Sequence, residues 1–249
     1  MQLEPVSRQS VSDAVFEQLQ GEILAGRLAA GEALPSERAL TELLGVNRQA
    51  VREALKRLDQ AGLVEINHGG VTRAQDYRQS AGLDLLASLL QRPDGRVDVA
   101  VARSIVEMRA CIGPDAARLC AMRAVSPVPD DLTAVADAMA DVPTDLAALA
   151  ALDWRFWELI VDGSDNVAYR LAFNSLRDGV APLAAALPAV QADELRDHAA
   201  HHAIAQAIRG GHEQAAERHA RNLLQRGVVA TTALLASIDH TSGPAKGKK

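Results

Sequence analysis

Leu34-Pro-Ser-Glu-Arg-Ala-Leu, Gly45-Val-Asn-Arg-Gln-Ala-Val-Arg-Glu-Ala-Leu and Gly62-Leu-Val-Glu-Ile-Asn-His-Gly-Gly-Val-Thr follow one another between Leu34 and Thr72. Ser36 is a good N-cap, with Glu37 favourable at the positive end of the helix it opens. Leu40, Leu43 and Leu44 supply the apolar positions of that helix, and Gly45 stops it. Asn47 caps the next helix, where Val51, Ala54, Leu55 and Leu58 share one face. Arg48, Gln49, Arg52 and Lys56 lie toward the other side. Beyond Gly62, residues 63–67 alternate as a strand, His68-Gly69-Gly70 reads as a tight turn, and 71–74 as the return strand. Arginine and lysine on a solvent face alone denote only a soluble helix. Two capped helices joined by a glycine turn, the second bearing Arg and Gln near its start, are what insertion into a DNA major groove requires. Arginine can bond guanine and glutamine adenine, each through two hydrogen bonds. The hairpin would be a wing reaching toward the minor groove.

Upstream, Ser10 and Asp13 approximate a capping box. Val11, Val15, Leu19 and Ile23 recur every four residues as one helical face, and Gly26, Gly31 and Pro35 punctuate the loop that follows.

The chain has 249 residues, enough for two domains. With 48% hydrophobic and only 3% aromatic residues, it suits helices packed closely through small side chains. No apolar run is long enough to span a membrane and no secretion signal opens the chain, so a cytoplasmic protein is expected. Cys111 and Cys120 lie in an apolar helical stretch and read as buried thiols. Met108, Met122 and Met139 read as core filler. The net charge of −6 argues against indiscriminate nucleic-acid binding, but a footprint is local. Between Asn47 and Arg73, five cations face three anions, a modest excess of +2. There is no Gly-rich phosphate loop and no Gly-x-Ser-x-Gly elbow. Asp153, His201 and Arg109 imitate an acid/base set, but catalysis is not expected.

Gly26 and Gly31 before Leu34-Pro-Ser-Glu-Arg, then 46–55 and Gly62-Leu-Val, resemble the winged helix-turn-helix of the GntR family of regulators. Stretches 106–117, 152–160 and 201–212 resemble the effector domain of its FadR subfamily, more loosely. The resemblance implies a mainly α fold. A winged helix-turn-helix (8–77) and a linker helix region (78–98) would precede an antiparallel all-α bundle of six or seven helices (99–238), with a disordered tail at 239–249. It implies a homodimer on a palindromic double-stranded DNA operator. Carried over position by position, DNA contacts fall on Arg38, Asn47, Arg48, Gln49, Arg52, His68 and Gly69. Arg38 and Arg52 would hold phosphates, and Arg48 and the wing tip would reach base edges.

Many relatives hold a divalent metal in the bundle on an Asp, a His one turn later, a His on a following helix and a His on the last helix. Here Asp153 and His201 match the first and third, but Trp157 and Leu223 stand at the second and fourth, and neither can ligate. No cofactor is therefore expected. The alternative is a rebuilt site for Zn, Mn or Ni drawing on His219 beside Asp153 and His201, within a region that also holds His198, His202 and His212. The fatty-acid-responsive members lack the metal ligands, and this chain resembles them at 66–74 and 77–90. A fatty acid or long-chain acyl-CoA effector follows from the resemblance, with a metal-dependent sensor of a small carboxylate (a sugar acid or dicarboxylate) as the alternative. Arg109 would meet the effector's carboxylate or phosphate, or else form a structural salt bridge with Asp153 or Glu107. Trp157 would make the pocket apolar, and Tyr169 and Asn174 would add polar contacts. Leu83, Leu86 and Leu90 form a face suited to coupling the domains, and effector binding would act by shifting populations through 77–90.

Overall fold

The computed structural model describes residues 10–67, 70–92 and 95–241. They form two compact units, Met1–Leu85 with Pro93–Arg96, and Leu86–Arg92 with Val97–Lys249.

The first unit begins with α1 (Val11–Leu24), which opens on a complete capping box between Ser10 and Asp13. Val15, Leu19 and Ile23 are buried, but Val11 is 51% exposed. Helix α2 (Glu37–Leu44) is capped by Ser36 and ends on Gly45 at φ 64°, a left-handed conformation that costs glycine little. Leu40 is buried, whereas Leu43, expected on the apolar face, is 73% exposed. Eight residues make barely two turns, and one turn suffices to seat α2.

Helix α3 (Arg48–Gln60) is capped by Asn47 and buries Val51, Ala54, Leu55 and Leu58. It packs on α1, where Arg57 pairs with Asp13 and lies over the Phe16 ring at 4.3 Å. The hairpin is shorter than expected. Strand β1 is Val64–Glu65 and β2 is Arg73–Ala74, antiparallel, with Val64 opposite Ala74. The return strand also bonds the loop before α2. Leu34 N donates to the Thr72 carbonyl at 2.9 Å and Ala74 N to that of Glu32 at 2.9 Å. The stretch punctuated by Gly31 thus serves as a third edge of the wing. Helix α4 (Tyr77–Ser80) returns to the end of α3, and Ser80 Oγ donates to the Gly62 carbonyl at 2.6 Å.

The second unit contains, among its described residues, six helices of twelve residues or more: α6 (Val99–Arg123), α7 (Val128–Asp141), α8 (Leu146–Gly163), α9 (Val167–Val180), α12 (His198–Arg209) and α13 (Glu213–Thr241). Shorter ones are α5 (Leu86–Leu90), α10 (Leu187–Val190) and α11 (Ala192–Leu195). Helix α13 runs past residue 238, where a tail was expected, as far as Thr241; residues 242–249 lie outside the described residues.

Cross-links set the directions. Arg118 reaches Glu213 while Arg109 neighbours Gly227, so α6 and α13 run antiparallel. Arg209 meets Asp130 and His202 meets Asp137, so α7 and α12 do too. Alanines 116, 117, 216 and 220 are fully buried between α6 and α13, letting the two backbones approach. Phe156, Leu132, Ile160 and Ile204 complete that core; removing one such large side chain costs roughly 3–5 kcal/mol. Leu90 and Leu86 belong to a second cluster with Ile105 and Leu176. Leu83 does not continue their face. It sits in a separate 3-10 turn and is 42% exposed. Cys120 is buried, whereas Cys111 is exposed. Met139 is buried and Met122 exposed.

Candidate functional site

On the first unit, Arg38, Arg48, Gln49 and Arg52 all face solvent from α2 and the start of α3. Capping determines this. The Asn47 side chain accepts from Ala50 N at 2.9 Å, which aims the first turn of α3 outward. Carboxylates on α2 hold the arginines in the unbound protein. Glu37 takes Arg48 at 3.0 Å and Arg52 at 3.5 Å, and Glu42 takes Arg38 at 3.1 Å. Exposed pairs of this kind contribute about 0–1 kcal/mol each, so phosphates can replace them at little cost. From sequence Glu37 carried only a helix-end role; that it also holds two arginines of the next helix emerges from the structure. His68 and Gly69, the expected wing tip, lie outside the described residues.

On the second unit, a cavity of about 90 Å³ lies among α6, α8, α9 and α10. Its wall is almost wholly apolar, including Ile105, Met108, Trp154, Phe173 and Leu176. Arg109, Asp153, Trp157 and Tyr169 reach it together. Tyr169 Oη donates to Asp115 Oδ2 at 2.9 Å, so its hydroxyl is already committed. Asn174 is not on the wall; α9 presents Tyr169, Phe173 and Leu176 there instead.

Behind the wall lies a buried polar cluster. Arg109 forms a forked pair with Glu194 of α11, Nη1 to Oε2 at 3.0 Å and Nη2 to Oε1, and its Nη2 lies 3.6 Å from Asp153 Oδ2. The partner is thus Glu194 together with Asp153, and not Glu107. Glu194 is 1% exposed. Sequence reasoning missed it, since a lone Glu in a weakly patterned stretch carries no signal for burial. Gly227 of α13 makes room for it, because a Cβ there would run into Glu194 Oε2.

Asp153 Oδ1 accepts from Trp157 Nε1 at 3.1 Å and from His201 Nε2 at 3.0 Å, while His201 Nδ1 lies 2.8 Å from the Asp197 carbonyl. Both ring nitrogens face oxygens able to accept, an arrangement that favours the doubly protonated ring over either neutral tautomer. Burial works against that charge, but the Asp153 carboxylate, the Asp197 carbonyl and Glu194 outweigh it and hold the ring above its ordinary range. Burial likewise opposes the Arg109 charge and is overcome by Glu194 and Asp153, while burial pushes the Glu194 carboxyl up. Two basic side chains, Arg109 and His201, thus meet two acidic ones, Asp153 and Glu194, in one buried cluster.

Residues 11–73 match the family described as "Bacterial regulatory proteins, gntR family", and 104–226 match the FCD domain. The HTH-type transcriptional regulator Mce2R of Mycobacterium tuberculosis (strain CDC 1551 / Oshkosh) is 41% identical over 236 residues, covering 95% of this chain and 96% of that one. The chain belongs to the GntR family. It is a DNA-binding transcriptional regulator with an FCD effector domain. A "Fatty acid metabolism regulator protein" of Edwardsiella ictaluri is 31% identical over 175 residues, 69% of this chain and 70% of that one. The solved structure of Lar from Listeria monocytogenes matches the fold at a TM-score of 0.58 and 15% identity, covering 92% and 100% of the two chains. No helix among the described residues is long and apolar enough to cross a membrane.

The donor set of this GntR-family regulator does not fit a divalent metal. His201 Nε2 is engaged by Asp153 and its Nδ1 by the Asp197 carbonyl, Trp157 presents an N–H, and Leu223 is buried among apolar side chains. His219, His198 and His212 are exposed, and His202 turns to Asp137. Among the described residues no three His, Cys, Asp or Glu side chains come together as a metal would need. The Arg109 guanidinium supplies the positive charge beside Asp153 instead.

Proposed function

We propose that this GntR-family regulator binds a palindromic operator as a homodimer and that a fatty acid or long-chain acyl-CoA in the FCD-domain cavity controls that binding. The observation that carries the reading is an apolar cavity with one cation, Arg109, at its polar end. Such a lining suits an alkyl chain, and the guanidinium suits its acid or phosphate. The relative named as a fatty acid metabolism regulator supports the same class. Arg38, Arg48, Gln49 and Arg52, with Asn47 and the wing residues His68 and Gly69, would meet DNA. Arg109, Asp153, Trp157 and Tyr169 would line the effector site, with His201 behind it. The effector can alter DNA affinity only by binding one state of the protein better than another.

One observation favours a second reading. A cavity of about 90 Å³ is smaller than the roughly 150 Å³ that holds benzene, so in this conformation it suits a small carboxylate.

A thermal-shift panel on metal-stripped protein decides between them, comparing long-chain acyl-CoAs, free fatty acids and small carboxylates with and without Zn²⁺. Stabilisation by an acyl ligand without metal supports the first reading. Stabilisation only by Zn²⁺ with a small carboxylate replaces it with the second.

A further inference from the structure

Arg109 is the natural receptor for an effector's acid, yet its fork is already filled. Glu194 places both carboxylate oxygens on the two terminal nitrogens of Arg109, the two-point pairing a ligand carboxylate would make. Glu194 stands on a segment that also walls the cavity. Leu187 and Gln191, seven and three residues before Glu194, line it from the same stretch. The segment is weakly held by its own backbone. Between α9 and α12 it consists of a 3-10 turn and two four-residue helices, and single turns are marginal without tertiary support. Its far end is pinned, since Asp197 caps α12 through Ala200 N and pairs with Arg226 of α13.

We propose that Glu194 is a resident stand-in for the effector's carboxylate, and that a free carboxylic acid with an apolar tail displaces it from Arg109 and so releases the cavity wall at residues 187–195. This rests on the reading of the cavity as the effector site. Three observations make the exchange reasonable. The buried cluster already sets two acidic side chains against two basic ones, so a ligand acid added to it would bring in a third acidic group, whereas one exchanged for Glu194 would not. Removing Glu194 with nothing to replace it strands the Arg109 cation, so the segment stays closed without ligand. The cavity, at about 90 Å³, takes only a few carbons until the wall bearing Leu187 and Gln191 moves; seating the acid and making room for its tail are then one event. A coenzyme A thioester has no carboxylate beside its acyl chain and cannot make the exchange.

The test is calorimetric titration of the full chain and of Glu194→Gln with dodecanoate, dodecanol and dodecanoyl-CoA. Hydrogen exchange of the wild type with and without dodecanoate accompanies it. Wild type should bind dodecanoate, and Glu194→Gln, in which the competing charge is gone, should bind it about ten-fold more tightly, the scale of one charge-assisted contact. Dodecanol, which has no acid to exchange, should bind the wild type at least about ten-fold more weakly than dodecanoate. Dodecanoate should increase exchange at amides 187–196 in the wild type. Equal or weaker dodecanoate binding by Glu194→Gln, or unchanged or slower exchange in that segment, overturns the proposal. Binding of dodecanoyl-CoA but not dodecanoate overturns the exchange while keeping the cavity reading. Binding of none of the three overturns the cavity reading, and the exchange with it.

Discussion

His201 of α12 donates to Asp153 of α8 across 3.0 Å, while its other ring nitrogen meets the Asp197 carbonyl. Two oxygens facing the ring favour its protonated form in the folded protein, which links pH to folding. In the unfolded chain the ring titrates near 6.5, and in the folded protein it does so higher. Below 6.5 both states hold the proton and its stabilisation is fully present. As pH rises above 6.5 the unfolded chain releases the proton first, so stability falls until the folded value is passed. Glu194, also raised, acts in the same sense from about its ordinary carboxylate range upward. Urea unfolding should therefore show stability declining as pH rises above 6.5, and His201→Gln should flatten that slope. An unchanged slope in the variant would remove His201 from this role.

Gly227 and Glu194 define a second expectation. A methyl group at Gly227 meets the Glu194 carboxylate and lies 3.4 Å from Arg109 Nη1. Gly227→Ala should cost about 1–3 kcal/mol, the scale of overpacking, read as a lowered denaturant midpoint. A neutral result would mean that the pair relaxes freely.

Arg48→Ala should erase the preference for operator over unrelated DNA. Arg52→Ala should weaken all DNA alike and reduce the salt slope by about one charge. Glu37→Ala removes the carboxylate that holds both arginines and should raise affinity for DNA of any sequence. Fluorescence anisotropy at several salt concentrations separates these outcomes, and retained operator preference in Arg48→Ala would move base recognition elsewhere.

Exhaustive chelation followed by Zn²⁺ should leave the melting temperature of the wild type unchanged, because neither Trp157 nor Leu223 can replace the absent histidines. A rise on adding Zn²⁺ would mean that His219 or its neighbours assemble a site in solution.

Caps and periodicity made the first unit legible. Ser10, Ser36 and Asn47 start helices where their side chains reach backbone N–H groups a turn ahead, and Gly45 stops one where φ must be positive. These signals act over three or four residues, so they survive without tertiary context. Leu43 and Val11 were misjudged for the converse reason. An apolar residue on the right stripe is buried only if another element covers it, and among the described residues Leu43 and Val11 stay largely exposed. The wing's third edge at 31–34 likewise escaped notice, since strand pairing between distant segments leaves no local pattern.

By itself, the sequence determined the two-unit order, the helix boundaries of the DNA-reading unit, and the outward set of Arg38, Arg48, Gln49 and Arg52, because capping and amphipathic spacing are local. Only the tertiary structure decided what Arg109 touches. Its partner Glu194 lies 85 residues away on a four-residue helix, and its burial depends on Gly227 of another helix leaving space. The protonation of His201 was decided the same way, since it follows from acceptors supplied by Asp153 on one helix and Asp197 at the start of another. Charge, burial and proton occupancy at such a site are collective properties of converging helices, and no window of sequence contains them.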